Sequence, residues 1–521
     1  MQNGRIKIVC DLKPTGNIDE DKLIIPKIIQ STLSIHNKNV TDIKRLFKYY
    51  YNDTDIKAKE KVQQPDINNK IGINYASVAV NTINGYSFSN SLTFSSRRTD
   101  NEDAMKAFND ALDEDNYNHK LRKLTLNYGI CGLAYKYILP ATEEDKANGV
   151  YYKTITDLDP LNTYCVYDNS IEKNKICAIS FCERTVYDKH FQSIRKEKVY
   201  TVWTKWHQWE FVPSASGYSN NQFSIDGKLY DAYPLMFKQI PIIEYRSLDG
   251  TSYFELAMDL INAINVLASS RVDDVQQSVD YIITLRDIDT ESKGALAKIK
   301  ECLKEGILSF KSVQGALVQP EINVLDTKLN QQEVETLQQF LCDKVEEVLN
   351  IPNRNTKASG GDTGSAVESR NGFRSLENKA GIVTDDIICG ENEALKVIFA
   401  ICENISGCPF SQMKPKDVEI KDNRNKYENL SNSSTAYSTL RSAGMNDRTA
   451  LEVTRLVPDA ITVSKLNEQA KQKETELALA NEVKRSEAMS KFQAENNNDS
   501  ASKAKTNSNK KDSNTKDDKD K

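Results

Sequence analysis

Three long helical stretches limit what this chain can fold into. Residues 252–281 (SYFELAMDLINAINVLASSRVDDVQQSVDY), 330–350 (NQQEVETLQQFLCDKVEEVLN) and about 364–403 place apolar residues every three or four positions. Ile261, Ile264, Ala268, Val272 and Val275 form the stripe of the first. Val334, Leu337, Leu341, Val345 and Val348 form that of the second, and Phe373, Leu376, Ala380, Val383 and Ile387 that of the third. A stripe of this kind has to be covered by something. At ~1.5 Å per residue the first helix is roughly 45 Å long, more than a small domain needs. Gly372, Gly381 and Gly390 interrupt the third and predict local weakening or a bend.

Pro352 ends the second helix, because proline disfavours α geometry in the residue before it. The stretch that follows, NRNTKASGGDTGSAVESR at residues 353–370, is rich in Gly and Ser. A phosphate-binding loop needs a Gly-rich turn ending in Gly-Lys-Ser/Thr, so that backbone N–H groups and a lysine meet the phosphate together. Here no lysine follows Gly364, a helix rather than a strand leads in, and Asp362 would repel the ligand. What remains is mechanical. Gly360, Gly361 and Gly364 free the backbone, and Arg354 and Lys357 are the cations of the early part. Repeated around a symmetric ring, the loop would put many copies of two charges into a central opening. A plain surface connector fits the same residues equally well.

Other chemistry is sparse. No HExxH or GxSxG occurs, and the four histidines (His36, His119, His190, His207) show no ligand spacing, so neither a metal nor a cofactor is expected. Asp273-Asp274 and Asp385-Asp386 point about 100° apart on a helix and read as solvated faces. Ten cysteines without metal spacing and a polar N-terminus predict reduced thiols in a cytosolic setting. No run reaches the roughly eighteen apolar residues of a membrane span. With 69 basic and 74 acidic residues, a net charge of −5 supplies no global field for gripping nucleic acid.

The remaining organisation is mixed. Residues 1–40 read as a polar arm. Residues 73–94 read as a helix that turns at Asn84-Gly85 into an alternating strand. Residues 101–127 read as one helix, and YGICGLAYKYIL as a strand in which Gly129 and Gly132 permit close backbone approach. From about 150 to 245, β-branched and aromatic runs predict an antiparallel β region. Trp203, Trp206 and Trp209 lie three apart, so a strand would put Trp206 on the opposite face and packing is favoured over base stacking. A helical region follows 425, with Gly444 as a C-cap, Asn446 or Asp447 as an N-cap and a charged helix to about 493. Residues 496–521 carry no large apolar side chain and predict a disordered tail.

The order of these parts resembles the portal proteins of tailed bacteriophages, in the family common to siphophages of Gram-positive hosts. The resemblance rests on Val80-NTINGYSFSNSLTF, Tyr128-GICGLAYKYIL, Ile240-PIIEYRSLDGTSYFELAMDLINAINVLASSRVDDVQQSVD, Leu349-NIP with the Gly/Ser loop and SAVESRNGFRSLENKAG, and STLRSAGMNDRTALEVTRLVPDA. These cover roughly residues 40–470 in collinear order. The resemblance implies an α+β portal fold with long stem and wing helices, an antiparallel β region and a helical C-terminal crown. On that mapping 41–250 is wing, and 251–350 is a pair of stem helices flanking a clip at about 282–328. Residues 351–364 are a tunnel loop, 365–424 the long wing helix and a return strand, and 425–495 the crown. It further implies a non-enzymatic dodecameric ring at one capsid vertex of the virion, assembled in the host cytoplasm. Double-stranded DNA would pass through it. The terminase large subunit, a head-completion or adaptor protein, and the major capsid and scaffolding proteins would be its partners. Arg354, Lys357, Gly360, Gly361 and Gly364 would then face the DNA channel. The alternatives are a helical scaffold or minor capsid protein and, further off, a nucleotide-binding enzyme.

Overall fold

The computed structural model describes residues 4–62, 65–97, 101–147, 149–187, 193–213, 227–229, 232–279, 282–286, 321–325, 331–353, 372–424, 430–454, 456–457 and 460–506. The chain divides into two compact units, residues 1–426 and 427–521. The first unit begins with strand β1 (Ile8–Val9), helices α1 (Ile18–Tyr50) and α2 (Tyr75–Ser87), and strand β2 (Thr93–Ser96). Helices α3 (Glu102–Glu114) and α4 (Tyr117–Cys131), strand β3 (Leu133–Pro140), helix α5 (Glu143–Ala147) and strands β4 (Tyr152–Ile155) and β5 (Thr163–Tyr167) follow. Next come β6 (Lys175–Tyr187), β7 (Ser193–Trp203), β8 (His207–Pro213), β9 (Gly227–Leu229), β10 (Tyr233–Pro234) and β11 (Ile242–Arg246). The unit continues with α6 (Met258–Val279), β12 (Ile282–Arg286), β13 (Glu321–Leu325), α7 (Gln331–Leu349), α8 (Phe373–Glu403) and β14 (Val418–Lys421).

Of the predicted β region, β4 and β11 flank β3 in an antiparallel three-stranded sheet, and the other strands form a larger sheet in the order β1-β5-β6-β7-β8-β10, with β9 also on β8. The strands of the larger sheet pair antiparallel except for β1, which runs parallel to β5. Tyr164 and Val166, Tyr200 and Val202, and Trp209 and Phe211 alternate with period two, so one face of the sheet is apolar. That face is covered by Ile25, Ile28 and Ile29 of α1. Residues 1–40 are therefore not an arm: β1 is a sheet strand and α1 its lid. The polar composition misleads because Thr32, His36 and Asn39 are buried in α1 with specific partners. Thr32 Oγ1 meets Tyr164 Oη at 3.2 Å, His36 Nε2 meets the Leu161 carbonyl at 2.9 Å, and Asn39 Nδ2 donates to the Ile6 carbonyl at 2.8 Å.

The main core joins α2, α3, α4, β3, β11 and the roots of α6, α7 and α8. Phe108 lies at its centre, with Phe399 and Phe410 each 5.5 Å away between ring centroids. Helix α2 runs straight through Asn84-Gly85, where a turn is predicted. The Asn84 side chain is held by distant groups, donating to the Thr125 carbonyl (3.0 Å) and accepting from Tyr253 Oη (3.3 Å), and tertiary contacts override the dipeptide. The single helix predicted over 101–127 breaks at Asn116, whose φ of 55° lies in the left-handed region that asparagine tolerates. Helix α4 persists to Cys131 and stops at Gly132 (φ 70°), where a Cβ would sit 2.4 Å from the Thr251 carbonyl oxygen. The close approach expected at this glycine is present.

Helix α8 crosses β11 and β3. Its Glu391 accepts from Lys136 Nζ at 2.5 Å and from Tyr245 Oη at 2.9 Å, all three side chains being buried. Gly390 permits the crossing, since a Cβ there would lie 2.4 Å from the Tyr245 ring. Gly381, in contrast, would bring its Cβ no closer than 3.6 Å to Arg424 Nη1. The tryptophans serve packing: Trp203 and Trp209 are buried, and Trp206 lies in the β7–β8 turn against Gly16.

The second unit contains α9 (Leu430–Ser442), α10 (Asp447–Thr454) and α11 (Ala460–Thr506). Gly444 (φ 91°) follows α9, and Asn446 Oδ1 caps α10 by accepting from the Thr449 N–H at 2.7 Å. Asp447 ties the three helices, accepting from Tyr437 Oη (2.5 Å) and Asn467 Nδ2 (2.9 Å), with Arg441 Nε at 3.3 Å. Helix α11 continues through residue 506, beyond the 496 boundary set by composition. Ala501, Lys503, Ala504 and Lys505 are good helix formers, and extending an existing helix needs no new nucleus. Residues 507–521 lie outside the described residues.

Candidate functional site: the helix pair and the loop ends

Helices α6 and α7 pack against each other, with Arg271 Nη1 donating to Gln338 Oε1 at 2.6 Å. The chain leaves α6 through β12 and returns to α7 through β13. These strands pair antiparallel, from Ile282 opposite Leu325 to Arg286 opposite Glu321. The segment expected to be the clip therefore leaves and rejoins the helix pair at one paired neck, and its residues 287–320 lie outside the described residues.

The apolar stripes of the pair are only partly covered by the rest of the chain. Ile261, Ile264, Val345 and Leu349 root it in the core, each at most 2% exposed. Val348, beside that root, is 43% exposed, and farther out Val272, Leu337 and Phe340 are between 36% and 55% exposed. The Arg271–Gln338 bond places the last three residues at the same level of the pair.

A second face of α6, illegible in the sequence, is polar and buried. Asn265, Ser269 and Asp273 are each no more than 2% exposed, and all bond to residues 54–73. Asn265 Nδ2 donates to Thr54 Oγ1, while its Oδ1 accepts from the Ile73 N–H at 2.8 Å. Ser269 Oγ accepts from the Ile71 N–H at 2.9 Å. Asp273 accepts from the Asn69 N–H (2.7 Å), Asn69 Nδ2 (2.8 Å) and Lys59 Nζ (2.8 Å), with Lys61 Nζ at 3.8 Å. Burial opposes ionisation of Asp273, but the Lys59 and Asn69 bonds outweigh it and hold the carboxyl at about 2. The solvated face expected for Asp273-Asp274 is thus half right: Asp274 is exposed and Asp273 is not. A spacing of four among Asn, Ser and Asp was the available signal, but apolar periodicity overshadows it.

The loop after α7 is pinned at both ends. Asn350 takes a left-handed turn (φ 56°) at the helix end, and Ile351 is buried. Asn353 Nδ2 donates back to Asp343 Oδ1 at 3.0 Å. On return, Gly372 (φ 81°) opens α8, and a Cβ there would lie 3.8 Å from Pro352 Cα and 3.9 Å from the Ile351 carbonyl oxygen. The two ends of the loop therefore touch. Glu377, one turn into α8, accepts from Tyr86 Oη at 2.6 Å and lies 3.3 Å from Arg424 Nη1. Arg354, Lys357, Gly360, Gly361 and Gly364 all lie outside the described residues, as does the predicted helical stretch 364–371.

Among the described residues no helix is long and apolar enough to cross a membrane. No curated protein matches the chain significantly. A family profile described as "Phage portal protein, SPP1 Gp6-like" matches residues 29–485, most of the chain and all of the elements from the body of α1 into α11. The chain belongs to the SPP1 Gp6-like phage portal protein family.

Proposed function

We propose that copies of this chain close into a ring at one vertex of the capsid, with the α6–α7 pairs side by side and double-stranded DNA passing through the centre. The carrying observation is the exposed apolar set Val272, Leu337 and Phe340 at one level of a helix pair that is otherwise rooted in the core through Ile261, Ile264, Val345 and Leu349. In a head-to-tail ring each copy offers such a surface to its neighbour. About half of each side chain is already covered, so burying the rest would contribute roughly 0.5–1.5 kcal/mol per residue. The dodecameric count, the clip at 282–328 as the dock for the terminase large subunit and then a head-completion protein, and contacts with major capsid and scaffolding proteins belong to this proposal. So does the crown at 425–495.

In this reading residues 351–364 project from their pinched base toward the DNA. Arg354 and Lys357 touch phosphates transiently, and Gly360, Gly361 and Gly364 let the loop follow. A weakly charged lining suits sliding, because phosphates recur about every 1.7 Å of duplex axis and a strongly basic wall would add a well at each step. Electron microscopy of the purified chain tests the ring: rings with a central hole are expected, and Leu337→Asp with Phe340→Asp should disperse them. A well-folded monomer at high concentration would overturn the proposal. For the loop, Arg354→Gln with Lys357→Gln should impair packaging or retention of DNA while rings still form. Unchanged packaging would remove the role given to both cations.

A further inference from the structure

We propose that residues 65–73 form a releasable strap, seated on a side-chain ladder of α6 and latched by Lys59 and Lys61 on Asp273. The spacing carries the inference. The N–H groups of Asn69, Ile71 and Ile73 donate to Asp273, Ser269 and Asn265, two residues apart on the strap and four apart on the helix. Four helical residues rise about 6 Å, and two extended residues rise about 6.6 Å. The two periods match closely enough for three consecutive rungs. The rungs read backbone N–H groups, so the ladder is a site for an extended chain, and the strap is its resident occupant.

The strap can leave because little of it is buried. Among the described residues from 57 to 75 none is buried, and Val62 is 97% exposed. Apart from Ile73, which packs against the main core at the end next to α2, the strap is held by polar contacts rather than by the apolar burial that fixes core elements. Its cationic latch converges on one carboxylate, with Asn68 Nδ2 (to the Lys59 carbonyl, 3.1 Å) joining latch to strap. Release would uncover buried acceptors on α6 while Ile261 and Ile264, on its core side, stay packed.

Hydrogen–deuterium exchange of the full chain tests this. In the wild type, amides of 65–73 should exchange well ahead of those in α4. Lys59→Gln with Lys61→Gln, which leaves α6 untouched, should speed strap exchange about tenfold with α4 and β6 unchanged. Asp273→Asn keeps an acceptor for the Asn69 N–H but loses both ion pairs, and should act in the same direction. Strap amides as slow as those of α4 in the wild type would overturn the proposal, as would exchange indifferent to both variants. The inference does not depend on ring assembly: intact rings with an unresponsive strap would sink it alone.

Discussion

Gly381 and Gly390 stand nine residues apart in α8, and alanine at the two sites should act in opposite directions. Helix propensity alone favours the substitution at each by up to ~1 kcal/mol. At Gly381 nothing opposes that gain, because the new methyl meets Arg424 Nη1 at 3.6 Å, an ordinary contact distance. At Gly390 the methyl would fall 2.4 Å from Cδ1 and Cε1 of Tyr245. Carbon atoms rest at about 3.5–4.0 Å, so the ring has to move by more than ~1 Å. Tyr245 has little room to do so: it is 1% exposed, and its hydroxyl donates to Glu391, which is paired with Lys136. Overpacking of this kind costs ~1–3 kcal/mol or more, which exceeds the propensity gain. Gly390→Ala should therefore lose ~1–2 kcal/mol, and Gly381→Ala should gain ~0.5–1 kcal/mol. Urea unfolding followed by circular dichroism, at one protein concentration, reads both as midpoint shifts. A Gly390→Ala chain as stable as Gly381→Ala would refute the placement of α8 against β11.

Three further outcomes follow from buried groups. Lys136→Met leaves Glu391 without its counter-ion and should cost ~3–5 kcal/mol, whereas Lys136→Met with Glu391→Leu should cost less; urea midpoints decide. Burial holds the His36 imidazole down at about 4, the bond to the Leu161 carbonyl opposing and the Lys198 charge assisting. The unfolded chain then binds more protons between pH ~6.5 and ~4, so stability should fall by up to about 3 kcal/mol as pH drops through that window. His36→Gln should flatten this dependence. Trp209→Ala should cost ~3–5 kcal/mol and Trp206→Ala clearly less, because the first is fully buried and the second is only partly covered in a turn; thermal melts separate them.

Sequence patterns identified elements whose burial repeats with a fixed period. The roots of α6 and α7, the described part of α8 and the strands of 150–245 were legible because Ile261, Val345, Leu376 or Tyr200 recur in step with helix or strand geometry. What escaped depends on partners far along the chain. The Asn84-Gly85 pair reads as a turn until Thr125 and Tyr253 take its side chain. Residues 1–40 look soluble because their buried polar groups find acceptors and donors in β5 and its approaches. Gly390 looks like a weak point until Tyr245 is seen beside it. For the candidate site, the long helices and the end of α7 at Pro352 were readable, but the polar ladder of α6 was not.

The necks at β12–β13 and at Pro352–Gly372 have a consequence for how such a chain can change over time. Each intervening stretch departs and rejoins at one spot, so the surrounding frame does not register its length. Doubling the length of chain closed at such a neck costs on the order of 0.6 kcal/mol in closure entropy. Both stretches can thus be lengthened, shortened or replaced while the helices and sheets that hold them keep their sequence.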